Sequence, residues 1–231
     1  MRMEKERENL SEEQVWEVLK QHFTQPGGFL DQIERGKDVQ IKPGVQADEY
    51  QELKDIHLAL EVIRQRWTGM EELPKWQICC LWRCVLHLEN LVQRSPKKGV
   101  SLYILRAKIL GWLESLLHDL DQESVSERMV IHDITLHMRN WSSFGASLRF
   151  GQIDLTAFEE TVQALTVLHR IWKERTIISR FAAWLLFLVP LLNWDASIFS
   201  MEQKRQLDDM KQILYTLIEE CLCEENRIEK I

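Results

Sequence analysis

Glycine and proline are scarce, with 9 Gly and 5 Pro among 231 residues. A many-stranded fold needs such residues at its corners, so the shortage argues for helices joined by short loops. Concentrated positive charge is also missing. The chain carries a net charge of −7, and its nearest approach to a basic patch is the single turn Arg94-Ser95-Pro96-Lys97-Lys98. Phosphate binding requires a basic face, which excludes nucleic acid as the main partner. The opening MRMEKERENL has no apolar signal core, so the chain is expected to be intracellular, cytoplasmic or nuclear, and not secreted. In that setting five cysteines, an odd number, are expected to be reduced thiols. The glycosylation-like Asn140-Trp141-Ser142 is then a chance match.

Catalytic signatures are lacking as well. No G-x-G-x-x-G, Walker loop, G-x-S-x-G elbow or H-E-x-x-H occurs. Arg128 and His132 stand one residue closer than the Arg-His spacing of helical HEPN ribonucleases. No cofactor is expected. There is also no internal repeat or low-complexity tract.

What is present is helical periodicity. Leu53, Ile56, Leu60, Ile63 and Trp67 recur at three- and four-residue spacing. So do Ile78, Leu81, Val85, Leu88 and Val92, and then Leu102, Leu105, Ile109, Trp112, Leu116 and Leu120 behind a cap at Ser101. Ser11 with Gln14, Ser124 with Glu127 and Ser200 with Gln203 read as capping boxes, and Asp154 as a simple cap. Behind Asp154 the expected stripe is Leu155, Phe158, Val162, Leu165 and Trp172. Asp38 to Gly44 reads as extended loop or a lone strand. The predicted fold is all-α, a single multi-helix bundle of seven or eight helices. Its sections are an N-terminal helical arm and loop over 1–46, a helical bundle over 47–141 and C-terminal helices over 152–231, the last two sharing one core.

Phe181 to Trp194, FAAWLLFLVPLLNW, carries no charge in a chain that is 28% charged. Fourteen residues are too few for a bilayer-spanning helix, which needs ~20. The absence of a polar face predicts burial, as the bundle's central helix near 177–192. Arg170, Lys173, Arg175 and Arg180 precede the segment, which makes an anionic membrane surface its alternative partner. The last helix carries a seam of Leu207, Met210, Leu214, Leu217 and Cys221. It predicts a bundle contact, or a homo-oligomer formed through 200–225.

Two constellations could bind metal. Cys80, Cys84 and His87 share one helix face and offer ligands that zinc prefers, but no C-x2-C pair accompanies them. The apolar stripe alongside favours a packing role without metal. Leu116-Leu117-His118-Asp119-Leu120 resembles the central His-Asp dipeptide of HD-domain metal-dependent phosphohydrolases, which are also all-helical. That resemblance implies His118 and Asp119 as metal ligands and catalytic residues. It further implies an upstream His such as His87 and a later Asp such as Asp154 or Asp195. Asp121 stands where that family commonly has Gly. His132, Asp133 and His137 form a third polar cluster, read as an exposed flank.

The expected function is a non-catalytic interaction or regulatory protein acting through protein–protein contacts. Nine tryptophans carry this reading, because such side chains anchor interfaces. Trp141, Phe144, Trp184 and Trp194 are the expected interaction residues. A Gly-poor, Trp-rich chain of this size fits a virus-encoded accessory protein.

Overall fold

The computed structural model describes residues 10–36, 50–94, 99–117, 144–192 and 198–223, together with Val130, His132, Ile134 and Thr135. Among them the protein is all-α, with nine α-helices and one two-stranded antiparallel ribbon. The helices form two compact units, the first taking 1–70 and 83–117 and the second 71–82 and 118–230.

The first unit opens with α1 (Glu12–Phe23). Its capping box is formed in both directions, Ser11 Oγ accepting from the Gln14 N–H and Gln14 Oε1 from the Ser11 N–H. A tight corner at Gly27 and Gly28 leads into α2 (Phe29–Glu34). Helix α3 (Gln51–Arg66) packs on α1 and on α5 (Gly99–Leu117). Arg66 donates to the Leu10 carbonyl at 2.6 Å, fastening the end of α3 to the chain before α1. All five residues of the predicted α3 stripe are buried. The α5 stripe is buried at Leu102, Leu105, Ile109 and Leu116, while Trp112 is half-buried and stacks on His57 of α3 at 4.6 Å. Ser101 is not the cap of α5, because helical structure already begins at Gly99.

Helix α4 (Lys75–Arg94) contributes its first turns to the second unit and the rest to the first. Within the first unit its buried Glu89 pairs with Arg106 of α5, so this carboxylate is not left uncompensated in the core.

The second unit begins with β1 (Glu72–Pro74), paired with β2 (Ile177–Ser179) in the register Glu72 to Ser179, Leu73 to Ile178 and Pro74 to Ile177. The Lys75 N–H to Thr176 and the Arg180 N–H to Glu71 extend this ladder on both sides. The remaining elements are α6 (Phe144–Arg149), α7 (Leu155–Trp172), α8 (Arg180–Phe187), a 3-10 turn (Val189–Leu191) and α9 (Met201–Leu222).

The apolar segment is buried at Ala182 to Phe187, Val189 and Leu192, but is not one helix over 177–192. Ile177 and Ile178 are β-branched and join the ribbon instead, a pairing that suits their stiff side chains. Ser179 caps α8 by accepting the Ala182 N–H. Helix α8 ends at Phe187, and Pro190, which has no N–H to donate, sits in the 3-10 turn. Ala182 to Phe187 form the unit's interior with Trp82, whose ring meets Phe187 and Tyr215 edge-on, each at 5.4 Å.

Helices α7 and α9 run in the same direction. Near their starts a side chain at Gly151 would meet Ile198 at 3.1 Å. Towards their ends the Cys221 thiol donates to the Leu165 carbonyl, and His169 Nδ1 lies 2.8 Å from the Glu220 carbonyl. The buried face of α7 is Ala157, Thr161, Ala164, Leu165, Leu168 and Trp172. The predicted stripe is thus displaced, with Leu155 exposed and Phe158 and Val162 half-buried. Small Ala and Thr side chains let α9 approach that face closely, and hydrophobicity alone does not mark them. The predicted seam of α9 is buried at Leu207, Met210, Leu214 and Cys221, with Ile218 taking the place of half-buried Leu217.

Candidate functional site

The predicted site residues that the structure describes do not assemble into one centre. His118, Asp119, Trp141 and Trp194 lie outside the described residues, as do Asp133, His137, Asp195, the capping box at Ser124 and the strand or loop at 38–44. Asp154 accepts the Ala157 N–H at 3.0 Å and is committed to capping α7. On α4, Cys84 is buried, Cys80 half-buried and His87 exposed. Among the described residues no three His, Cys, Asp or Glu side chains gather in a way that could hold a metal ion. Phe144 and Trp184 are both buried, Phe144 against Phe158 at 5.5 Å and Trp184 against Phe181 at 5.5 Å. Their rings face the interior.

Two other features stand out in the second unit. The first is a group of cysteines around a buried lysine. Cys79, in the second turn of α4, is joined by a disulfide to Cys223, the C-cap residue of α9, across a sequence separation of 144. The two Cα atoms are 5.4 Å apart, within the ordinary span of a disulfide. The expectation of five reduced thiols is therefore corrected for this pair, while Cys80, Cys84 and Cys221 stay thiols. Spacing could not reveal the pair, because only the fold brings residues so distant in sequence together.

Lys75 stands one helical turn before Cys79. It is buried, and its ammonium donates to the Trp172 carbonyl at 2.8 Å. Cys221 lies close enough to feel this ammonium, but burial dominates and pushes its thiol up to about 12. Cys221 is thus held protonated as a hydrogen-bond donor to Leu165, which makes it a poor nucleophile.

The second feature is the end of the unit where α7 and α9 begin. Phe150 is 62% exposed, Leu155 50%, Ile198 59% and Met201 70%. Ile198 lies against Gly151, next in sequence to Phe150, and Leu155 and Met201 are the first residues of the two helices. Isolated exposed apolar residues are ordinary in soluble proteins, but four large ones at a single end form a surface suited to apolar contact. No sequence pattern marked Phe150, Ile198 or Met201, which lie at helix borders, and the expected stripe had assigned Leu155 to the interior.

No family model, curated protein or solved structure matches this chain.

Proposed function

We propose that this all-α protein is a non-catalytic interaction protein, acting in a regulatory or accessory role through contacts with another protein. The observation that supports this reading is the apolar end formed by Phe150, Leu155, Ile198 and Met201, all at least half exposed. Large apolar side chains that fill a partner's pockets carry most interface energy. The two helices behind them, α7 and α9, pack along each other and offer a stiff support, which limits the ordering cost of binding.

The membrane alternative began from the apolar stretch 181–194. Ala182 to Phe187 are buried against protein, so lipid contact through them would require unpacking the second unit. No helix among the described residues is long and apolar enough to cross a membrane. The seam that suggested a homo-oligomer through 200–225 packs against α7 within the chain.

The test compares two double variants in the cell of origin. Phe150→Glu with Met201→Glu is expected to abolish partner binding and the cellular phenotype while the circular dichroism spectrum is unchanged. His118→Ala with Asp119→Ala is expected to leave both intact. The proposal fails if the second pair loses the phenotype with fold and partner binding preserved, or if the first pair has no effect.

A further inference from the structure

We infer that the Cys79–Cys223 disulfide is a reversible thiol–disulfide switch that locks the C-terminal turn of α9 onto the start of α4. The two cysteine residues are unequally accessible. Cys79 is buried, whereas Cys223 is half-buried at the helix end. An incoming thiolate therefore reaches Cys223 Sγ. In that direction of attack Cys79 is the leaving group, and it stands one turn after the buried ammonium of Lys75, on the same face of α4. A neighbouring cation stabilises a departing thiolate, and a better leaving thiol exchanges faster.

The chemistry balances with a dithiol as reductant. Its first thiolate attacks Cys223 Sγ, the bond to Cys79 breaks, and Cys79 leaves with the electron pair. The reductant's second thiolate then attacks the mixed disulfide and releases Cys223. The reductant ends as a disulfide, and its two thiol protons pass through solvent to Cys79 and Cys223. Two electrons have moved from reductant to protein. Cys221 does not divert the exchange, because its thiol is buried, protonated and bonded to the Leu165 carbonyl.

Reduction removes the covalent tie from the last turn of α9. That turn then relies on the Cys223 N–H to Glu219, the Cys221 contact with Leu165 and the His169 contact with Glu220. Without the covalent tie, the turn keeps only these bonds and the burial of Cys221 and Leu222, and a helix end so held opens more readily than one fixed by a disulfide.

The experiment uses the full chain in a Cys80→Ser background, so that label on the tryptic peptide 76–83, which excludes Cys84, reports Cys79 alone. The protein is equilibrated in buffers of varied reduced and oxidised dithiothreitol, acid-trapped, alkylated and analysed by mass spectrometry. Amide exchange is followed in the fully oxidised and fully reduced forms. Cys79 and Cys223 are expected to gain label together with a two-electron dependence, while Cys221 stays unlabelled in folded protein. Exchange in peptides covering 214–223 is expected to rise about 10-fold or more on reduction, with α7 residues 155–162 unchanged. Cys79→Ser with Cys223→Ser, if it folds, should show the reduced pattern in every buffer. Three results overturn the inference: a pair that never forms under oxidising buffers, a pair that resists the most reducing buffer, or identical exchange in the two forms.

Discussion

At the residue scale the sharpest constraint is the corner between α1 and α2. A Cβ placed on Gly28 would lie 1.9 Å from the Gln21 carbonyl oxygen, which is backbone and cannot swing aside. Gly28→Ala must therefore push α2 away from α1. A loss of about 1–3 kcal/mol is expected, the usual scale for overpacking a tight site, and urea unfolding would measure it. Gly27→Ala separates conformation from space, because Gly27 has φ +81° and nothing stands within 4 Å of its added Cβ.

The same corner holds a titratable clasp. The Gly27 N–H donates to Asp31 at 2.7 Å and Arg35 Nε donates to it at 2.9 Å. These bonds, the Gly27 amide first, hold the Asp31 carboxyl below its ordinary value of 3.8. A group with a depressed folded pKa stabilises the fold above its unfolded value and loses that contribution as pH falls through the folded one. The clasp should thus be complete at neutral pH and weaken only below pH 3.8, continuing to fade as pH drops further. Carbon-detected NMR titration should give Asp31 a lowered pKa, and Arg35→Ala should move it part of the way back. A midpoint at the ordinary value in the unaltered protein would show that the clasp is not formed.

At the scale of elements, caps and burial set separate expectations. The Ser200–Gln203 box starts α9, with each side chain bonded to the other's backbone. Ser200→Ala is expected to cost ~1 kcal/mol. In α8, Trp184 is buried while Leu188 at its end is half-buried. Trp184→Ala should cost ~3–5 kcal/mol, and Leu188→Ala distinctly less than the ~2–5 kcal/mol of a buried leucine. Denaturant midpoints of the two variants check the order. A Trp184→Ala effect as small as that of a surface substitution would mean that α8 is not the interior of its unit.

The all-α fold was legible at this scale because caps and apolar spacing are local signals. The α3 stripe is buried as periodicity requires, and both described capping boxes close. Where the reading departed from the structure, a neighbour had decided. On α7 the buried face runs through Ala157, Thr161 and Ala164, chosen by the close approach of α9 rather than by side-chain hydrophobicity. The helix count rose to nine among the described residues. A short element such as α6 gives too few turns for a periodic signature.

At the scale of the whole molecule, the two units divide the chain differently from its linear order. Residues 71–82 belong with the C-terminal helices rather than with the helices flanking them in sequence. The ribbon of β1 and β2, the Lys75 bond to Trp172 and the Cys79–Cys223 disulfide all make that assignment. A covalent link closing so long a loop restricts the unfolded chain, so its removal should also lower thermal stability. Replacing Cys79 and Cys223 together by Ser is expected to lower the midpoint of the second unit's unfolding by about 5–15 °C, measured by calorimetry. Equal midpoints with and without the bond would show that it constrains nothing the reduced fold does not already hold.

The sequence by itself determined that this protein is helical, that α1, α7 and α9 begin behind Ser11, Asp154 and Ser200, and that Ala182 to Phe187 belong inside. Those properties depend on neighbours three or four residues apart. Only the tertiary structure decided that Ile177 and Ile178 form a strand, that Cys79 meets Cys223, that Phe144 and Trp184 face inward, and that Phe150, Leu155, Ile198 and Met201 share one exposed end. Each of these depends on residues far apart in the chain. Hydrophobicity states that a side chain gains from leaving water, but packing decides whether its cover comes from the same fold or from a partner.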